Sequence, residues 1–169
     1  MRTAFPNHAL YLLHYRGYGA SSGTPSEEAL LPDAWALFDL AARNNSEVQV
    51  VGRSLGSGLA VHVASMRPVE RLVLVTPYES VLEIASKRFW FLPVSWLLLD
   101  KYESWKYAPL VTAPTLLLAA EHDNVVPLAG TERLSTRFKP GVATLRIVGN
   151  CGHESISATP TYVSLLSGA

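Results

Sequence analysis

The chain has 169 residues, 14 basic and 14 acidic side chains and a formal net charge of zero. With 49% apolar and 17% charged residues, it is long enough and apolar enough for one domain with a real core, which excludes a disordered segment. The charge balance gives a polyanion nothing to bind, so nucleic acid is not an expected partner, while the weak repulsion between copies favours association.

Short β-branched runs alternate with helical segments, and no internal repeat interrupts them. This pattern predicts an α/β fold: a mostly parallel sheet of about five strands flanked by helices. Ala9–Tyr15 reads as a buried strand ending in the glycine turn Arg16-Gly17-Tyr18-Gly19. Ser26 is placed to cap a helix opening with Glu27 and Glu28, where the helix dipole favours acids, and running past Pro32 to Asn44-Asn45. Val48–Val51 is the second strand, Leu55–Met66 a helix stopped by Pro68, and Arg71–Thr76 the third strand. Thr115–Ala119, Leu128–Phe138 and Val142–Val148 give a fourth strand, a helix and a fifth strand. The tail after Ser155 reads as a short helix broken near Pro160. Residues 78–113 are too long for a simple crossover and hold Trp90, Trp96 and Trp105. They read as a helical cap inserted into a single domain over residues 1–169.

The sharpest local signal is Gly52-Arg53-Ser54-Leu55-Gly56, set between a strand and a helix. In that context G-x-S-x-G is a nucleophile elbow: a strained turn lifts the serine hydroxyl above the sheet, and the glycines allow backbone to pass close by. The competing reading is a glycine-rich turn with an incidental serine. The Leu55 N–H, at the helix start, is the expected first oxyanion donor.

A serine hydroxyl needs a base. Of the five histidines, His153 lies in a loop after the last strand (Asn150-Cys151-Gly152-His153), where it can reach over the sheet's C-terminal edge. His62 reads as a helix-face residue. The third group must be a carboxylate following another strand, and Glu121 and Asp123 both qualify by type. The order Ser54, acid, His153 is that of an α/β-hydrolase triad.

These features resemble the α/β-hydrolase superfamily, and within it serine hydrolases of the Bem46/ABHD13/ABHD17-like type. The resemblance rests on Tyr15–Glu27 (YRGYGASSGTPSE), the elbow Gly52–Gly56, Ala108-Pro109, Ala113-Pro114, Asp123–Pro127 (DNVVP) and Gly152-His153. It implies a hydrolase of carboxylic esters or thioesters with Ser54 as nucleophile, His153 as base and Asp123, rather than Glu121, as acid. Small departures from the family pattern fall at Ala120 and Cys151.

The large departure is at the N-terminus. Met1 falls just before what resembles the family's fourth strand, so the core lacks its first strands and the His-Gly-type loop that gives the second oxyanion donor. In the family sheet the absent third strand lies between Ala9–Tyr15 and Val48–Val51. Ala9–Tyr15 is therefore expected either to pair directly with Val48–Val51 or to leave the chain poorly stable. In the first case a backbone N–H at Arg16 or Gly17 would stand in as second donor.

The candidate substrate-binding residues are Arg53 beside the nucleophile, Tyr18, Tyr78 and the cap aromatics Phe89, Trp90, Phe91 and Trp96, which are placed to line an acyl pocket. The same aromatics are candidates for a peripheral membrane contact or a homodimer face. The chemistry calls for no metal or organic cofactor. The lone Cys151 excludes an internal disulfide and a cysteine-based zinc site. Residues 1–8 have no signal-peptide pattern, and the Phe89–Leu99 run is far short of the ~20 residues that cross a bilayer. A cytoplasmic location is expected. The rival expectation is a non-catalytic or weakly active remnant that serves as a binding module; a peptidase finds no charged specificity pocket in the sequence.

Overall fold

The computed structural model describes residues 4–168. Helix α1 (Glu27–Asn44) starts where Ser26 Oγ accepts the Ala29 N–H at 3.2 Å, and it passes Pro32 without a break. Then come β1 (Gln49–Arg53), α2 (Leu55–Met66) and β2 (Arg71–Val75). Between β2 and the next strand lie three short helices, α3 (Val81–Arg88), α4 (Val94–Leu97) and α5 (Ser104–Tyr107). The chain closes with β3 (Thr115–Ala120), α6 (Leu128–Ser135), β4 (Ala143–Val148), a 3-10 turn at Ser155–Ala158 and α7 (Tyr162–Ser167).

The four strands form one parallel sheet in the order β1-β2-β3-β4. Because side chains alternate along a strand, the sheet feeds two cores. Leu72, Leu74 and Leu117 pack with Phe38 of α1, Val61 of α2 and Leu134 of α6. Val73, Val75 and Leu118 pack on the other face with Phe5, Ile156 and Leu166 of α7. β2 and β3 are buried on both faces, which is why they read as unbroken apolar runs.

Among the described residues the sheet has four strands rather than the expected five or so. Residues 9–15 pair with no strand. They lie along the β1 side without regular secondary structure, with Leu10, Tyr11 and Leu12 exposed. Neither a direct pairing with β1 nor a displaced strand is found. An open groove of about 450 Å³ separates the segment from β1, bordered by Leu10, Leu13, Phe38, Val48, Val50 and Leu59. The misreading has a physical cause: an apolar run reports contact with other apolar groups, not a hydrogen-bonded neighbour. The helix after Pro127 is also shorter than expected, ending at Ser135, although Phe138 beyond it is still buried.

The segment between β2 and β3 is tied to the body at several points. The Glu27 N–H donates to Asp100 Oδ1 at 2.8 Å, and the Tyr102 N–H donates back to Glu27 Oε2 at 2.9 Å. Glu79 accepts from Arg133 and from Arg137, each at 2.9 Å, which joins the segment to α6 and its exit. No helix among the described residues is long and apolar enough to cross a membrane.

Where β1 meets α2, backbone touches backbone through Gly52. A Cβ built there would stand 2.5 Å from the Gly56 carbonyl oxygen, 2.6 Å from Ala60 Cβ and 2.8 Å from Ser57 Cα. None of these atoms can swing aside. Gly52→Ala is expected to destabilise the fold by roughly 1–3 kcal/mol. The drop should appear as a lower urea midpoint with an unchanged m-value.

Candidate active site

Ser54 occupies the single residue between β1 and α2, with φ 49° and ψ −121°. That is a costly backbone state for a residue with a Cβ, on the order of 1–3 kcal/mol, and it persists only where the surroundings fix it. Three contacts do so. The Ser54 N–H continues the sheet by donating to the Val75 carbonyl at 2.9 Å. The Ser54 carbonyl accepts from the Ser57 N–H at 2.8 Å and from Ser57 Oγ at 2.6 Å. Burial holds Tyr78 against the same turn, its hydroxyl donating to the Leu55 carbonyl at 3.0 Å.

His153 comes from the loop after β4. Asn150 turns that loop at φ 55°, a left-handed state that asparagine tolerates better than most residues. The loop is joined to the end of β3: the His122 N–H donates to the Cys151 carbonyl at 2.9 Å, and the Asn150 N–H donates to Glu121 Oε2 at 2.8 Å. Arg53 braces it from the elbow, donating to the His153 carbonyl at 3.1 Å and to Glu154 Oε2 at 3.0 Å.

Asp123 follows β3. Its Oδ1 accepts the Val125 and Val126 N–H groups at 2.9 and 2.7 Å, so the carboxylate is fixed by its own loop. The side chains of His153 and Asp123 are 5% and 2% exposed. His153 Nδ1 lies 2.8 Å from Asp123 Oδ2 and 3.1 Å from Oδ1, and His153 Nε2 lies 2.9 Å from Ser54 Oγ. A carboxylate that already accepts two N–H groups leaves the Nδ1–H tautomer as the fitting one. Nε2 is then the acceptor for the serine hydroxyl, and the arrangement can take a proton from it.

The structure thus brings Ser54, His153 and Asp123 together. Glu121, which qualified equally by residue type, serves the Asn150 backbone and sits 3.6 Å from exposed His122. His62 is buried between the Trp35 and Tyr107 rings, with centroids 5.2 and 4.1 Å away.

Several expected roles do not survive. Gly17 does not offer a free oxyanion donor, because its N–H is taken by the Ser21 and Ser22 carbonyls at 3.2 Å each. The Arg16 N–H, the other expected donor, has no acceptor among the described residues, while the Arg16 guanidinium is held by Asp33 at 2.5 and 2.7 Å. Arg53 is a loop brace and Tyr78 a buried support, so neither is free for substrate. Phe89, Trp90, Phe91 and Trp96 are exposed and none of them borders the groove beside β1. Tyr18 is exposed, edge-on to Tyr15 at 6.1 Å between centroids. Sequence reasoning missed the bracing roles of Glu121 and Arg53, for which local spacing carries no signal. Among the described residues no group of His, Cys, Asp and Glu could hold a metal ion.

A profile of the α/β-hydrolase family described as TAP-like protein (Abhydrolase_4) matches residues 96–164, a stretch holding Asp123 and His153 but not Ser54. Over 130 residues the chain is 38% identical to an uncharacterized Mycobacterium tuberculosis protein, covering 75% of this chain and 46% of that one. Over 133 residues it is 32% identical to the lysophosphatidylserine lipase ABHD12 of Mus musculus, covering 67% of this chain and 33% of that one. The chain therefore spans less than half the length of these relatives. Among solved structures it is similar to MGS-M2, an α/β hydrolase enzyme from a Medee basin deep-sea metagenome library. The TM-score is 0.70 at 18% identity, over 89% of this chain and 74% of that one. At that identity the likeness is one of fold, and the fold is that of the α/β hydrolases.

Glu121→Ala is expected to leave the Asn150 N–H without its acceptor. The cost should be about 1 kcal/mol, read as faster hydrogen exchange at Asn150 while the Ser54, His153 and Asp123 side chains stay in place.

Proposed function

We propose that this chain, an α/β-hydrolase fold, is a serine hydrolase of the Bem46/ABHD13/ABHD17-like type that cleaves carboxylic esters or thioesters. The observation that carries the reading is the unbroken chain of contacts from Ser54 Oγ through both ring nitrogens of His153 to Asp123. Ser54 Oγ attacks the acyl carbon, and its proton passes to His153 Nε2 as the carbonyl electron pair moves onto oxygen. The C–O or C–S bond to the leaving group then breaks, and the imidazolium returns the proton to that group. A water attacks the acyl-serine by the same route in reverse roles, giving the free acid and restoring the Ser54 hydroxyl. Asp123 holds the tautomer and stabilises the imidazolium. The Leu55 N–H, first in α2 and without an acceptor among the described residues, faces the developing oxyanion.

The substrate class follows from the segment between β2 and β3, which we read as a cap. Its tip projects Trp90, Trp96 and Leu99 at 83%, 86% and 88% exposure, with the exposed Arg88 at its base. Side chains standing out this far suit insertion among lipids better than the flat, close-packed face of a second copy, and tryptophan favours the membrane interface. A lipid-like acyl ester met at a membrane surface is the corresponding substrate, in keeping with the lysophosphatidylserine lipase among the relatives. Trp90→Ala with Trp96→Ala should abolish co-sedimentation with anionic phospholipid vesicles while leaving turnover of a water-soluble ester unchanged. Retained vesicle binding, or a dimer that the two changes split, refutes the membrane contact.

One observation favours the rival reading of a weakly active binding module: of the two backbone N–H groups expected to partner Leu55, that of Gly17 is occupied by the Ser21 and Ser22 carbonyls. A fluorophosphonate probe separates the two. An active enzyme labels at Ser54 and loses labelling in Ser54→Ala. Asp123→Asn should cut ester turnover by about 10³–10⁴-fold with little change in unfolding temperature. A folded wild-type chain that neither labels nor turns over ester supports the module instead.

A further inference from the structure

The strand order sets Ser54 and His153 far apart at the roots. Ser54 follows β1, His153 follows β4, and β2 and β3 lie between. At about 4.8 Å between strands, the loop after β4 must cross roughly 14 Å to bring an imidazole to Ser54. General-base geometry tolerates little error: a misplacement of about 1 Å can cost on the order of 10² in rate. The near end of the loop is tied to the end of β3 through Asn150 and Cys151. Both ties precede His153 in the chain and leave the far end of the crossing to be fixed by something else.

At His153 itself the main chain is held by Arg53. The His153 carbonyl accepts from Arg53 Nη2 at 3.1 Å, and among the described residues no backbone N–H donates to it. The same nitrogen reaches the Glu154 carbonyl at 3.5 Å and Glu154 Oε2 at 3.0 Å. Arg53 is the last residue of β1 and pairs in register with Val75, whose carbonyl also accepts the Ser54 N–H. The guanidinium is therefore rooted in the same rigid turn that fixes the nucleophile. It sets the position of the base from the nucleophile's own backbone.

We propose that Arg53 is a positioning residue for the reaction, and that it matters most for the second half, the hydrolysis of the acyl-serine. This role rests on the serine-hydrolase reading above. In the free enzyme the ring is held at both nitrogens, by Asp123 at 2.8 Å and by Ser54 Oγ at 2.9 Å. Once Oγ carries the acyl group it has no proton to give, and that second hold is lost. Nε2 must then stay in place to take a proton from the attacking water. The Arg53 contact is to the main chain and does not change as the proton moves, so it holds the ring through this step. Arg53 touches no reacting atom and acts only through His153. Ile156, three residues on, is fully buried in the core, which keeps the loop folded when the brace is removed.

Wild type, Arg53→Met, Arg53→Lys and Ser54→Ala are compared by stopped flow on a neutral p-nitrophenyl ester, with rates expressed per folded chain from circular dichroism. Arg53→Met keeps the aliphatic stem and removes the donors. It should release a burst of p-nitrophenol stoichiometric with the chain, followed by a steady state about 10–10²-fold slower than wild type. KM should fall with kcat, because the acyl-enzyme accumulates. The Arg53 contacts all come from Nη2, so no planar fork is engaged and an ammonium can take its place. Arg53→Lys should accordingly recover kcat to within about fivefold of wild type. Full turnover per folded chain in Arg53→Met, with Ser54→Ala inactive, overturns the role of Arg53 and leaves the triad standing, even if the melting temperature drops. A raised KM at unchanged kcat overturns it as well, by making Arg53 a substrate contact. Wild-type turnover equal to that of Ser54→Ala overturns both the positioning role and the hydrolase reading.

Discussion

The positive φ of Ser54 is the constraint on which the rest of the candidate chemistry depends. A serine with that backbone is unstable by itself, so the fold must hold it from both sides. From the strand side, the Ser54 N–H is the last rung of the β1–β2 ladder. From the helix side, Ser57 takes the Ser54 carbonyl with both its N–H and its hydroxyl. Gly52 lets the two elements close to contact, because the position a Cβ would take is already filled by α2. Packing energy from β2, buried on both faces, is what sustains the strained turn. The same turn presents the hydroxyl at the C-terminal edge of the sheet, where the loops after β3 and β4 also emerge.

Convergence of the other two side chains is a matter of loop wiring rather than of the side chains themselves. Asp123 is set by two N–H groups of its own loop. The His153 loop is set by β3-side contacts at Glu121 and His122 and by Arg53 across the sheet. Residues around the triad therefore have structural duties that resemble functional ones in the sequence. A charged group beside a nucleophile, such as Arg53, reads as a substrate ligand until its partners are known.

That difference also sets what could be read from the chain alone. β1 to β4, α1 and α2 were legible because each carries a local cause: the Ser26 cap with its acids, the β-branched runs, and the glycine spacing around Ser54. The meeting of Ser54, Asp123 and His153 was legible only through their order and their positions after strands. Residues 9–15 were misread because their apolar pattern says nothing about a partner for the backbone. The donor role assigned to Gly17 failed for the converse reason: its N–H is consumed by a turn whose closure depends on residues 21 and 22. The exposure of the aromatics at 89–96 was beyond composition, which gives the same residues whether they line a pocket or project from it.

The groove beside β1 shows how backbone chemistry limits what this edge can bind. Its size and its lining of Leu10, Leu13, Val50 and Leu59 make it look like an acyl pocket running toward the elbow. One wall, however, is the free edge of β1, which pairs with β2 on its other side only. Alternate N–H and C=O groups of Gln49–Arg53 face the groove in search of partners. Hydrocarbon laid against them would strip their water and return nothing, at about 1–3 kcal/mol for each group left unsatisfied. An occupant that supplies its own amides escapes that penalty, and an acyl chain does not. The apolar lining is thus a poor guide to specificity here.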